Sequence, residues 1–151
     1  MAISAKSRAQ LALSATTSLP PSEVLEFVRA ATREVRGGGT SLLTTGLQNL
    51  GAQVHIERES DGVLALSITS GKRLVNLCTF AARATIDHSG RTSLRIGGLE
   101  SYRTTQSTVF FIPVGPKMIA GYDPYRRFLD HVAETLLAQD PNAVVAVRSP
   151  E

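Results

Sequence analysis

The sequence contains no tryptophan and one cysteine. A lone Cys78 excludes an internal disulfide and any zinc site built on cysteine thiolates. One free thiol also fits a reducing interior, so the expected compartment is the cytoplasm. Long apolar runs are missing as well. The longest, Val109-Phe110-Phe111-Ile112-Pro113-Val114, falls far short of the roughly 18 residues that mark a spanning helix, and no membrane span is expected. The short Leu11-to-Ala15 run behind Lys6 and Arg8 follows Gln10 and is too brief for a signal peptide. Charged residues make up only 19% against 42% hydrophobic, a balance that excludes a disordered chain. The 151 residues suit one domain, 1–151, with residues 1–7 and 142–151 as flexible tails. A domain of that size buries roughly 68–70% of its unfolded surface and needs no staple.

Sixteen Lys and Arg against thirteen Asp and Glu give a formal charge of +3. Lysine is the scarce cation: only Lys6, Lys72 and Lys117 are present, and the rest are arginines. That habit is typical of a GC-rich genome of the actinobacterial or phage kind. Phosphate binding would need the arginines clustered on one face. Along the chain they are interleaved with acids, and the one stripe, Arg29, Arg33 and Arg36, is flanked by Glu23, Glu26 and Glu34. The expectation is therefore a solvated surface and no specific nucleic-acid partner.

Periodicity lays out the elements. Leu11, Leu13 and Ala15 alternate in a strand over Ala9 to Thr17. Pro20-Pro21 stops it and opens a helix with Val24, Val28, Ala31 and Val35 on one face, closed by Gly37-Gly38-Gly39. No Gly-Lys-Ser/Thr follows those glycines, so they are not a phosphate loop. Leu42, Leu43, Leu47 and Leu50 suit a short second helix. Val54 and Ile56, then Leu64, Leu66 and Ile68, alternate on either side of a Ser60-Asp61-Gly62 turn. Ser70-Gly71-Lys72 turns into a long strand from Arg73 to Asp87, and His88-Ser89-Gly90 turns again into Arg91 to Thr104, bent at Gly97-Gly98. Ser107 to Ile112 reads as the last clear strand, followed by a Pro113-to-Pro116 loop, with Lys117 to Gly121 as a candidate seventh. Asp123 as N-cap with Pro124 behind it starts an amphipathic helix carrying Tyr125, Phe128, Leu129, Val132 and Leu136, ending before Asp140-Pro141. Residues 143–151 add an edge strand or fray.

Catalytic patterns are sparse. Consecutive residues cannot adopt triad geometry, so Asp87-His88-Ser89 is a turn. His55 sits on the polar side of its strand, and His131 lies at the border of the last helix's apolar face, beside Arg127 and Glu134. No histidine spacing suits a metal, and no nucleophile elbow is present. Cys78 in mid-strand is expected buried and inert. Asn76, sharing a face with Leu74, Cys78 and Phe80, is expected to be a buried polar group that holds a ligand or a backbone atom. Tyr102, Arg103, Tyr122 and Tyr125 are placed to rim an opening.

The opening strand, the Leu19-Pro20-Pro21-Ser22-Glu23-Val24-Leu25-Glu26-Phe27-Val28 junction and a long terminal helix behind antiparallel strands resemble the helix-grip fold of the START/SRPBCC superfamily. The resemblance implies an α+β fold in β-α-(α)-β5–6-α order, with a curved antiparallel sheet of six to seven strands packed on the C-terminal helix. It further implies a cavity between that helix and the sheet, lined by Leu64, Leu66, Ile68, Asn76, Phe80, Ile96, Phe128, Val132 and Leu136. The function expected from it is non-catalytic binding of a hydrophobic small molecule or lipid, without a metal or other cofactor. Two alternatives stand beside it. One is a protein-interaction or regulatory module with a filled core, its contact surface the Phe111-to-Val114 segment and the basic helix face. The other is a polyketide cyclase or aromatase, for which aromatics are few and no polar groups converge. Oligomeric state is left open.

Overall fold

The computed structural model describes residues 8–34, 52–70 and 75–148. The glycine stop at 37–39, the second helix, the turn over 70–72 beyond Ser70, and the tail 1–7 fall outside these residues. The described chain is α+β, with eleven elements. Strand β1 (Ala12–Thr17) leads into helix α1 (Pro21–Glu34). Then come β2 (Gln53–Ser60), β3 (Val63–Thr69), β4 (Asn76–Ile86), β5 (Thr92–Gly97) and β6 (Ser101–Tyr102). Strands β7 (Thr104–Val109) and β8 (Ile112–Ile119) precede helix α2 (Tyr122–Gln139) and strand β9 (Val144–Arg148).

The main sheet is antiparallel in the order β2-β3-β4-β5-β1-β9, with β6 on β4. Short connections carry the chain from β2 to β5 as a meander of neighbouring strands. Its first hairpin turns at Gly62, where φ is +71° and a Cβ would stand only 2.8 Å from the Ala84 carbonyl oxygen. Beyond β5 the chain inserts β1 as the next neighbour, and the C-terminal segment adds β9 outside it, so Val144–Arg148 is a paired strand.

Period-two alternation assigns the two faces. Leu13, Ala15, Leu64, Leu66, Ile68, Phe80, Ala82, Leu94 and Ile96 point inward and are buried. Against them lie Val24, Leu25, Val28 and Ala31 of α1 and Tyr125, Phe128, Leu129, Val132 and Leu136 of α2, in one apolar cluster. Each large aliphatic or aromatic side chain so buried contributes roughly 1.5–3 kcal/mol relative to exposure.

Helix α2 begins two residues earlier than the Asp-Pro signal suggests. Its N-cap is Gly121, at φ +84°, with no side-chain cap. A Cβ there would stand 3.2 Å from both Cys78 Sγ and Leu77 Cβ, so the close approach to β4 selects glycine and sets the helix start. Asp123 falls in the first turn, where its charge suits the helix dipole.

The far end of α2 is tied to β1 by one carboxylate. Asp140 accepts hydrogen bonds from Thr17 Oγ1 at 2.6 Å and from the backbone N–H of Ser18 at 3.2 Å. The Thr17 hydroxyl first, and the Ser18 amide second, hold its carboxyl below the ordinary value. A pKa lowered by folding contributes stability that is present above the unfolded value, near 3.9, and lost as pH falls through the native one. Thermal melts from pH 7 to pH 2 are therefore expected to fall below about pH 4. Asp140→Asn lowers the melt at neutral pH and flattens the acid limb, although Asp87 and Glu59, also lowered, keep part of it.

Candidate functional site

Eight of the nine residues expected to line a cavity are brought together. Leu64, Leu66, Ile68, Phe80, Ile96, Phe128, Val132 and Leu136 are all fully buried in the cluster between sheet and helices. They meet one another there: the Phe80 ring stands edge-on to Tyr125 at 4.8 Å and to Phe128 at 5.5 Å, so aromatic rings occupy the space between β4 and α2. The Tyr125 hydroxyl donates to the Leu11 carbonyl. Burial pushes its pKa up, and Tyr125 belongs to the core and not to a rim.

Asn76 is a correction. It is exposed, at the first position of β4, where the pairing with β3 is irregular beyond Ile68. The register shift pairs it with Thr69, the last residue of β3, and this strand end lies past the edge of the core. Its carbonyl accepts from Arg103 Nε at 3.0 Å.

The remaining candidates are placed as follows. Cys78 is buried, and burial pushes its thiol up to about 12, the inert state expected of it. His88 is exposed, while Asp87 Oδ1 accepts from Ser89 N, Ser89 Oγ and Arg91 N, closing the turn. His55, on the polar side of its strand as expected, is half-buried, with Nε2 2.9 Å from Thr69 Oγ1. His131 is half-buried on α2. No group of three His, Cys, Asp or Glu side chains suited to a metal exists among the described residues. No helix among them is long and apolar enough to cross a membrane. Clefts formed by described residues open, among other places, at the start of α1, beside Thr32 and His55, and near Gly97-Gly98, and none of the nine residues lines these.

The segment that departs most from expectation is 104–119. Ser107 to Ile112 is not one strand. The chain reverses at Phe110-Phe111, and β7 and β8 form a separate two-stranded sheet with Val109 opposite Ile112 and Thr104 opposite Ile119. Pro113 and the residues to Pro116 lie within β8 and not in a loop. A two-stranded ribbon tolerates proline because both of its strands are edges. Its base is closed by the Ala120 N–H to the Arg103 carbonyl at 2.9 Å, and Arg103 N in turn donates to the Leu77 carbonyl of β4 at 3.0 Å.

Both residues of the two-residue turn have positive φ, +51° at Phe110 and +65° at Phe111. Hairpins favour such a turn because its twist matches the strands, and Asn-Gly is the preferred pair. Phenylalanine in that region carries a steric cost of roughly 1–2 kcal/mol per residue. The two rings are 90% and 98% exposed, and Val109, Ile112, Val114 and Met118 are exposed along the same ribbon. From Thr104 to Pro116 the sequence carries no charge. Strain and exposure thus fall together on one apolar tip, and nothing in the described fold offsets either. No sequence signal marked the turn, because all four of Val109-Phe110-Phe111-Ile112 are strand formers. Set against known proteins, the chain matches no family model, no curated protein and no solved structure.

Proposed function

We propose that this is a non-catalytic interaction module that docks on a partner protein through the β7–β8 hairpin, with Phe110 and Phe111 as its anchors. The observation that carries the reading is the pairing of left-handed backbone with near-complete exposure at these two residues. Unrelieved strain at a surface tip is the mark of a functional constraint. Aromatic anchors that enter a pocket carry most of the energy of many interfaces. The packed rings beneath α2 support a filled core over a hydrophobic-ligand cavity of the helix-grip kind.

The test is a photo-crosslinking phenylalanine analogue placed at 111, and separately at Thr85 on the exposed face of β4, in cells of the native host. The reading expects one discrete protein adduct from position 111 and none of that mass from position 85. Adducts of equal pattern at both positions would sink it.

A further inference from the structure

The arginines that look scattered along the chain converge once the strands are paired. Residues directly opposite in a ladder share a face. Arg83 of β4 pairs with Arg95 of β5, so two guanidinium side chains stand side by side on the face turned away from the helices. Arg95 is followed across the sheet by Ser14 of β1. Arg58 of β2 pairs with Ala65 of β3 on that same face, and Arg148 of β9 pairs with Ala12 of β1. Four arginines from 58 to 148 therefore cross one sheet face. From β2 to β9 the span is roughly 24 Å, five spacings of about 4.8 Å.

All four are exposed. None makes a salt bridge or hydrogen bond to a described residue. Between them the face is built from small residues, Ala12, Ser14, Ala65, Ala81, Ser93 and Gly97, which let a rigid surface approach closely. Two carboxylates lie nearby. Glu57, the extra residue of the β2 bulge, accepts from Ser67 Oγ at 2.6 Å, and Glu100 lines the cleft of about 240 Å³ that Arg83 and Arg95 flank. Like charges directly opposite in a ladder destabilise the pair, and Glu100 in the same cleft sets one carboxylate against two guanidinium groups, which leaves an excess of positive charge for an external anion. Arginine is the side chain best shaped to take phosphate oxygens in a fork.

We infer that this open sheet face binds the phosphate backbone of double-stranded nucleic acid without reading its sequence. Phosphates are the anion that repeats over such a span. A duplex fits better than a single strand because no Phe or Tyr stands at a main-sheet strand position on this face, and single-strand binding relies on aromatic stacking. The inference is independent of the hairpin reading, which concerns a different surface.

The experiment is fluorescence-anisotropy binding of the full chain to a 20-base-pair duplex of arbitrary sequence across a salt series. Four phosphate contacts predict a slope of log K against log salt of about −3.6. Arg83→Ala/Arg95→Ala is expected to weaken binding at least tenfold at low salt and to reduce the slope by about 2, with no loss of melting temperature. Arg126→Ala/Arg127→Ala removes the same charge from exposed positions on α2 and is expected to leave the slope unchanged. A second, unrelated duplex sequence is expected to bind equally. Absence of binding at 50 mM salt would overturn the inference. Equal losses in the two double variants would do the same, as would tighter binding of a single strand or equal binding of vesicles containing anionic lipid.

Discussion

Replacing Phe110-Phe111 with Asn-Gly is expected to make the domain more stable while removing its ability to dock. The substitution keeps a two-residue turn and supplies the pair that adopts positive φ most readily. Relief of the left-handed strain is expected to yield about 2 kcal/mol. For a chain of this length that raises the melting temperature by roughly 4–8 °C. The lost rings contribute little to the folded domain, because 90% and 98% of their surface faces solvent. If they were instead part of the domain's own packing, the melt would fall. Phe110→Ala/Phe111→Ala separates the two effects, since it removes the anchors but leaves the strain: docking is lost and the melting temperature hardly moves.

The second large effect is at Phe80. Its ring is fully buried and meets Tyr125 and Phe128 at 4.8 and 5.5 Å. Truncation of such a ring leaves a cavity that the neighbours only partly fill, so Phe80→Ala is expected to cost about 3–5 kcal/mol in chemical denaturation. Phe80→Trp is expected to be destabilising as well, by about 1–3 kcal/mol, because the larger ring must displace the Tyr125 and Phe128 rings that already meet Phe80. The pair of variants distinguishes a filled core from a ligand cavity. A side chain that walls an empty cavity tolerates enlargement to tryptophan without loss, and that result would restore the hydrophobic-ligand reading.

The core was legible because its signals are local. Leu64, Leu66 and Ile68 alternate without interruption, and Phe128, Val132 and Leu136 recur at helical spacing, so each face follows from period alone. The Ser60-Asp61-Gly62 turn announced itself by composition. The turn at Phe110-Phe111 did not, since its residues prefer strands and its conformation runs against their intrinsic preference. A period-two reading passes straight through it, and Pro113 then looks like the start of a loop. Asn76 was misplaced for a different reason: alternation gives the face of a strand but not where the core beneath it ends.

The arginine face was invisible for a topological reason. Arg58, Arg83, Arg95 and Arg148 become neighbours only through the pairing of β4 with β5 and the insertion of β1 between β5 and β9. Interleaved acids in the sequence suggested a neutral mixture, yet Glu23, Glu26, Glu34, Asp130 and Glu134 all lie on the helices.

The hairpin account is tested most directly by competition at position 111. With the crosslinker on the tip, excess unlabelled native chain is added before illumination, and in a parallel sample an equal excess of the Phe110→Asn/Phe111→Gly variant. The account predicts that the native chain abolishes the adduct and that the turn variant, although the more stable protein, leaves it intact. Equal displacement by both competitors would contradict it, because the partner would then be recognising some surface other than the two exposed phenylalanines.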